Sequence, residues 1–350
     1  MHTHVYLIGY PSEVGGANTQ VWHWLKLMRR FGVETTVVPT WRGNEEWDKR
    51  IRAIGCKILV PTDRTFPVPD GAVCVSFCNS HFESKAHQLQ ARGCRLIYVP
   101  CMNYLNGTLL NHHQKYGPFD RYVLQSHSQQ KWLSSPLSDF GVKPEQCHVI
   151  RGAFDWSEFS FEPRRRWPDA PFIVGRLSRP DAFKFSWRTW DLFGCIRKEI
   201  PTTKVRIMGW HKRVEQHIGE PPGWVEVLPA KSESAEDFLR SLHCMCQVGG
   251  DHWDEPRSTE NWPRVGLEAM ASGVPVVAES RGGWPEMIEH GETGLLGHSI
   301  DEIASHVVRL GRDEALRMRL TRQAHDALRG SLAEPGGLWA GWEKVFESVA

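Results

Sequence analysis

The sequence predicts an α/β protein of two Rossmann-like, doubly wound domains. Three observations predict it. Short β-rich apolar runs alternate with segments of helical period, as in βα units built around a parallel sheet. At residues 161–171 the stretch FEPRRRWPDAP interrupts the alternation with three prolines and no period, after which the strand pattern restarts. The 350 residues also exceed one ordinary core and suit two. The expected division is a first domain at 1–160, a linker at 161–171 and a second domain at 172–335. A terminal helix at 336–350, carrying Leu338, Trp342, Val345 and Phe346, is expected to pack back on the first domain.

In the first half, strands are expected at residues 5–8, 34–38, 57–60, 72–77, 95–99, 121–124 and 148–150. Val21, Trp24, Leu25, Met28 and Phe31 recur at three- and four-residue spacing, which predicts an amphipathic helix over 18–31. Gly32 follows as its C-terminal glycine. In the second half, strands are expected at 172–174, 204–208, 224–227, 245–248 and 274–278. Helices are expected at 187–199, 235–242, 263–272, 300–310 and 313–328. The arginine run Arg164–Arg165–Arg166 reads as a solvated linker, since like charges repel and stay exposed.

Composition narrows the function. The chain is 41% hydrophobic and 24% charged with a formal net charge of +1, so nothing advertises a nucleic-acid partner. Its nine cysteines lack metal-type spacing, and Cys74, Cys94, Cys244 and Cys246 fall in or beside apolar runs as expected of buried, reduced thiols. A reducing, cytoplasmic setting is the expectation. The opening MHTHVYLIGY reads as a first strand rather than a leader, and no apolar stretch is long enough to span a bilayer. Contact with a membrane surface stays open. Neither G-x-G-x-x-G nor G-x-x-x-x-G-K-S/T occurs near the first strand, which removes the dinucleotide-dependent oxidoreductase and P-loop readings.

The richest stretch is residues 260–297, ENWPRVGLEAMASGVPVVAESRGGWPEMIEHGETGLLG. Pro263 suits the first turn of a helix and Gly273 its C-terminal end. The free N–H groups of that helix N-terminus suit a diphosphate. A carboxylate just before it, Glu260, can accept hydrogen bonds from sugar hydroxyls. A second, Glu268, lies about two turns later and can grip a ribose diol. Two acceptors flanking an anion site match the polarity of a sugar nucleotide.

This block resembles family 4 of the GT-B glycosyltransferases (glycosyl transferases group 1). Glu260 and Glu268 reproduce the Glu-x7-Glu motif of that superfamily, and the following residues run in phase with its pattern. The family's aromatic–glycine pair after the first glutamate is replaced by Trp262–Pro263. FIVGRLS at 172–178 is similar to the family's strand and turn after the interdomain linker, so Arg176 matches the arginine that binds the diphosphate. Lys184, the lone lysine of a loop with inserted residues, is the choice for its lysine partner. Gly15 and Gly16 resemble the family's glycine pair near donor phosphates or acceptor. Arg264 and Val265, at the start of the helix, and Trp210, on a loop near the family's nucleotide base, complete the expected donor contacts. Gly152, Asp155 and Phe159 match recurrent positions that read as turn and packing residues.

The resemblance implies two domains facing across a cleft, with the donor held by the second. It implies transfer of a sugar from a UDP- or GDP-linked donor to the hydroxyl of a glycan, a lipid-linked sugar or a small molecule, with retention of configuration. No Asp-x-Asp triplet occurs, and no cofactor or metal is expected, because Arg176 and Lys184 supply the cations. Many family members place a histidine after a middle strand of the first domain. Here Pro100, Cys101, Met102 and Asn103 stand there, and His81, His112, His113 and His127 are given no role. Two other readings stand beside the transferase. One is a sugar-nucleotide-binding partner subunit with degenerate catalysis, and the other is a non-hydrolysing sugar-nucleotide epimerase.

Overall fold

A computed structural model describes residues 4–12, 16–41, 43–61, 65–167, 169–251 and 255–349. The chain divides into two compact units. The first runs to Asp155 and resumes at Glu334, and the second is Trp156–Ala333.

The first unit holds seven strands: β1 (His4–Ile8), β2 (Glu34–Val38), β3 (Lys57–Ile58), β4 (Val73–Phe77), β5 (Arg95–Val99), β6 (Arg121–Leu124) and β7 (Cys147–Val149). They form one sheet in the order β3-β2-β1-β4-β5-β6-β7, and every neighbouring pair is parallel. Hydrophobic clusters cover both faces, which is why the central strands read as continuous apolar runs rather than alternating ones. The edge strand β3 is shorter than expected. Leu59 and Val60, assigned to it from the sequence, are exposed, since an edge strand has a neighbour on one side only.

The helix Gly16–Arg30 buries Val21, Trp24, Leu25 and Met28 against the sheet and ends at Gly32, whose φ of 76° closes its last turn. The closing helix Pro335–Glu347 lies on the same layer. Trp342 meets Trp24 at 5.4 Å and Phe77 at 6.5 Å, and Trp339 stacks on Phe31 at 5.2 Å. Truncating one such buried tryptophan removes on the order of 3–5 kcal/mol.

The second unit has six strands: β8 (Ile173–Leu177), β9 (Lys204–Trp210), β10 (Val225–Pro229), β11 (Cys244–Gln247), β12 (Val276–Glu279) and β13 (Leu295–Gly297). Their order is β10-β9-β8-β11-β12-β13, again parallel throughout. β13 is three residues long and left no periodic trace in the sequence. Cys74, Cys94, Cys244 and Cys246 are buried free thiols. No helix among the described residues is long and apolar enough to cross a membrane.

Two expectations are corrected. The first unit stops at Asp155, ahead of the expected linker at 161. Lys26 and the ring of His23 hold Asp155 within the first unit, whereas Trp156 sits under the guanidinium of Arg329 and edge-on to His325 in the second. The arginine run is not simply solvated. Arg164 donates to Ser241 O at 2.7 Å, and Arg166 donates to Ala170 O and Gly311 O at 2.9 Å each. Carbonyls left open in the second unit thus draw two of the three arginines onto its surface.

Buried histidines make the first unit sensitive to acid. His112 and His113, on the helix Gly107–Tyr116, pack 4.8 and 5.0 Å from Phe119. Tyr122 Oη lies 2.8 Å from His113 Nε2. Burial pushes both imidazoles down to about 4, with His87 adding to the effect on His112 and His112 to that on His113. Between pH 6.5 and about 4 the unfolded chain binds protons that the folded chain refuses. Stability is therefore complete above pH 6.5 and falls as pH drops through this window. His112→Leu should shrink the stability lost between pH 7 and pH 4.5 by roughly 2–3 kcal/mol. Urea melts at the two pH values measure this, and equal losses in both proteins would show that His112 is not held neutral. Glu83, whose carboxyl burial pushes up, contributes equally to both proteins.

Candidate active site

The site is built on the carboxyl ends of the second unit's strands, where ligands bind in sheets of this kind. Arg176 lies near the end of β8 and is buried. Its Nη1 donates to Val248 O at 2.6 Å, just past β11, and its Nη2 donates to Lys184 O. The guanidinium lies 4.5 Å over the ring of Phe185. Burial pushes its pKa down, while Cys246, Glu279 and Glu260 push it back up. An arginine keeps its charge under such a load. Its Nε has no partner among the described residues.

Lys184 ends a short turn, Ala182–Lys184, that the Asp181 side chain caps through Phe183 N at 3.1 Å. Its Nζ donates to Glu260 Oε1 at 2.8 Å. Burial alone would raise the Glu260 pKa. Lys184, Arg176 and Arg179 outweigh that and hold the carboxyl below its ordinary value. Arg176, Lys184 and Glu260 are thus linked in one chain of contacts. Glu260 stays ionised and acceptor-only.

The helix Arg264–Ser272 follows. Pro263 occupies the position before it rather than its first turn, and no side chain caps it among the described residues. Its first-turn N–H groups, those of Arg264 and Val265 among them, lie at the positive end of the helix dipole. Glu268 pairs with Arg264 at 2.8 Å, and both are largely buried. Gly273 ends the helix in the left-handed conformation, at φ 82°.

Trp210 ends β9. Its ring packs at 5.9 Å from Trp190 and edge-on at 6.4 Å from Phe185, and its Nε1 reaches Glu215 at 3.4 Å. It is half-buried and already engaged in the core. In the first unit Gly16 opens its helix, and a Cβ there would meet nothing within 4 Å, so packing does not demand glycine. Gly15 lies outside the described residues. His112 and His113 are core residues. His81 and His127 are exposed, in the first turns of helices that follow β4 and β6. The loop after β5, where the family's histidine would stand, is fixed instead by Gln129. Its Nε2 donates to Pro100 O at 2.7 Å and to Met102 O at 2.8 Å.

Sequence reasoning missed an ion pair beneath this site. Glu279, at the end of β12, is fully buried. Its Oε2 accepts from Gly249 N at 2.9 Å and from Arg281 Nη2 at 2.9 Å, and Arg281 also donates to Gly250 O at 2.7 Å. Burial raises the Glu279 pKa, against the pull of Arg281. The pair clamps residues 248–250, whose first carbonyl holds Arg176. Gly282 and Gly283 do the same for Glu260. A Cβ on Gly282 would fall 2.3 Å from Glu260 O, and one on Gly283 1.7 Å from Asn261 O. The GG pair in the sequence was the available signal.

Residues 171–313, all within the second unit, match the family model of the glycosyl transferases group 1. A GDP-mannose-dependent alpha-(1-6)-phosphatidylinositol monomannoside mannosyltransferase of Mycobacterium tuberculosis is 48% identical over 95 residues, which is 26% of this chain and 23% of that protein. The exopolysaccharide phosphotransferase SCO2592 of Streptomyces coelicolor is 38% identical over 240 residues, 66% of this chain and 23% of that protein. The chain therefore spans about a quarter of the length of these relatives. The crystal structure of HepE from Anabaena, in complex with UDP and glucose, superposes with a TM-score of 0.72 at 15% identity and covers 99% of this chain and 100% of its own.

The buried clamp generates a prediction. Glu279→Ala leaves the Arg281 cation without its partner and should cost about 3–5 kcal/mol, whereas Glu279→Ala with Arg281→Met removes both charges and should recover part of that. Guanidinium melts of the two variants test it, and a double variant no more stable than the single one would refute the pairing. The chain has the GT-B fold, and its second unit matches the group 1 glycosyl transferases over residues 171–313.

Proposed function

We propose that the protein is a retaining glycosyltransferase that moves a sugar from a nucleoside diphosphate to an acceptor hydroxyl without a metal ion. The observation that carries this reading is the contact chain Arg176–Lys184–Glu260 beside a helix N-terminus that no side chain caps among the described residues. It sets two fixed cations and the helix end where a diphosphate would lie, with an ionised carboxylate next to them. The match to the group 1 family model and the relatives named for sugar transfer support it.

In this reading the diphosphate rests on the N–H groups of Arg264 and Val265 and on the charges of Arg176 and Lys184. Negative charge grows on the leaving phosphate as the glycosidic bond breaks, and cations already held in place stabilise it without reorganising. The leaving phosphate oxygen takes the proton of the acceptor hydroxyl, which attacks from the same face. Glu260 accepts hydrogen bonds from the transferred sugar, and Lys184 holds its carboxylate in position. Glu268 gives one oxygen to Arg264 and the other to the ribose diol. Trp210 would border the base through its exposed edge. Gly15 and Gly16 keep the donor-binding role that the resemblance gives them. The acceptor-side placement of the first unit and a cytoplasmic setting are part of the proposal.

Titrating UDP, GDP and their hexose conjugates against variants tests the division of roles. Arg176→Ala should weaken every one of these ligands and lower kcat/KM by about 2–4 kcal/mol. Glu260→Gln should impair transfer strongly yet bind the sugar-free nucleotide almost as the parent does, because that ligand has no sugar to grip. Glu268→Gln should weaken the sugar-free nucleotide itself. Equal loss of that nucleotide in the two glutamate variants would defeat the assignment. Transfer should also survive EDTA, and a large loss restored by manganese or magnesium would defeat the metal-independent mechanism.

A further inference from the structure

Two cysteines of the first unit meet at the carboxyl end of its sheet. Cys78 directly follows β4, and Cys101 lies two residues past β5. These strands are parallel neighbours, with Phe77 level with Val99. Cys78 N donates to Val99 O at 3.0 Å, so the two chains stay together as they leave the sheet. Both thiols are free and half-buried, open enough for a small reagent.

The two sulfurs are in hydrogen-bond contact. The Cys101 thiol and the Cys101 N–H both donate to the Cys78 sulfur, and the Tyr98 hydroxyl reaches it too. These donors hold the Cys78 thiol below its ordinary value, against burial and the nearby Glu83 carboxyl. The Cys101 thiol, which gives its hydrogen to Cys78 and is screened from water, is pushed well above. Gln125 Nε2 donates to the Cys101 sulfur at 3.4 Å and fixes it from the other side. Cys78 also carries a φ of 41°, one of two positive values at non-glycine positions among the described residues. That left-handed backbone is costly for cysteine, and such conformations persist where the surroundings enforce them, often at functional positions.

A metal ion needs more than two sulfurs, and no group of three or more metal-binding side chains occurs among the described residues. Thiol–disulfide exchange needs only what is present: a reachable thiol poised to ionise and a second thiol touching it. Chains leaving adjacent strands start about 4.8 Å apart, and a disulfide bridges Cα atoms about 4.4–6.8 Å apart. The same two chains carry a second contacting pair, Cys74 and Cys94, near the other end of the sheet. Cys94 is even held down to about 6 by the Cys74 thiol. Yet Cys94 is 4% exposed and Cys74 0%, so an attacking disulfide has no approach to them. Access therefore selects Cys78 and Cys101.

We propose that Cys78 and Cys101 are a redox-active dithiol, which a low-molecular-weight disulfide oxidises to a bond tying the loop after β5 to the end of β4. The Cys78 thiolate attacks one sulfur of the small disulfide and expels the other as a thiolate, which leaves a mixed disulfide on Cys78. Cys101 then loses its proton and attacks the Cys78 sulfur, which expels the second small thiol. Two electrons and two protons pass from the cysteine pair to the small disulfide, which leaves as two thiols. The bond forms at the end of the sheet where ligands of doubly wound domains bind. Its chemistry does not depend on the donor-site reading above.

Thiol trapping on the full chain tests it, with glutathione disulfide as the oxidant. The reduced, folded protein is exposed to the oxidant and then unfolded in urea with iodoacetamide, so that every remaining thiol is alkylated. Mass spectrometry of the digest should find the Cys78 and Cys101 peptides joined, with alkylation lost at both. Dithiothreitol should restore both alkylation sites. In Cys101→Ser the hydroxyl still donates to Cys78 but cannot resolve the mixed disulfide, so Cys78 should keep its glutathione. Alkylation of Cys78 and Cys101 in the oxidised parent would overturn the proposal. So would separate glutathiones on the two, a bond from either to another cysteine, or a Cys74–Cys94 bond in place of theirs. An alkylated Cys78 in the Cys101→Ser variant would overturn the order of attack.

Discussion

The second unit is organised around one buried cation. Arg176, near the end of β8, reaches both the end of β11 and the loop bearing Lys184, through Val248 O and Lys184 O. A guanidinium suits the task because its planar fork serves two carbonyls in fixed directions and cannot be neutralised. Burying it raises the strength of every charge interaction nearby, since little water is left to screen them. Lys184 is aimed because its backbone is held by it, and Lys184 foremost, with Arg176 behind it, holds the Glu260 carboxyl below its ordinary value. The same burial demands compensation, and Glu279, Glu260 and the Phe185 ring supply it.

The first unit solves its problems differently. Two of its loops are held by neutral amides: Gln129 spans the loop after β5 and, through Oε1, receives Gln125 N at 2.7 Å. Asn79 caps the helix Ser80–Gln90 through Phe82 N at 3.0 Å and donates to Thr40 at 2.7 Å. Neutral groups hold a loop without imposing a field.

Much of this was legible in the residues. The strands β2, β5 and β6 fall where their apolar runs predict, because a strand buried on two faces leaves a continuous signal. Glu260 and Glu268 stood out because their spacing is tied to a helix start and a buried strand. Lys184 was chosen as the lone lysine of its loop, and the structure brings its ammonium to Glu260. What stayed hidden depends on contacts between distant segments. Glu279 and Arg281 read as charged loop residues after a strand, and only the fold sets them against Gly249 and Gly250. The unit boundary was displaced for the same reason: Trp156 is claimed by Arg329, a partner far along the chain. Arg166 could not be told from a solvated charge without knowing which carbonyls lay open beneath it.

The return of the closing helix to the first unit has a consequence for how the molecule is made. Trp24 and Phe77 meet Trp342 only after the whole second unit has been synthesised. During translation the N-terminal sheet emerges with one aromatic face bare, while the unit inserted within it acquires all of its chain first. Of the two units, the one translated first is therefore the last to complete its core.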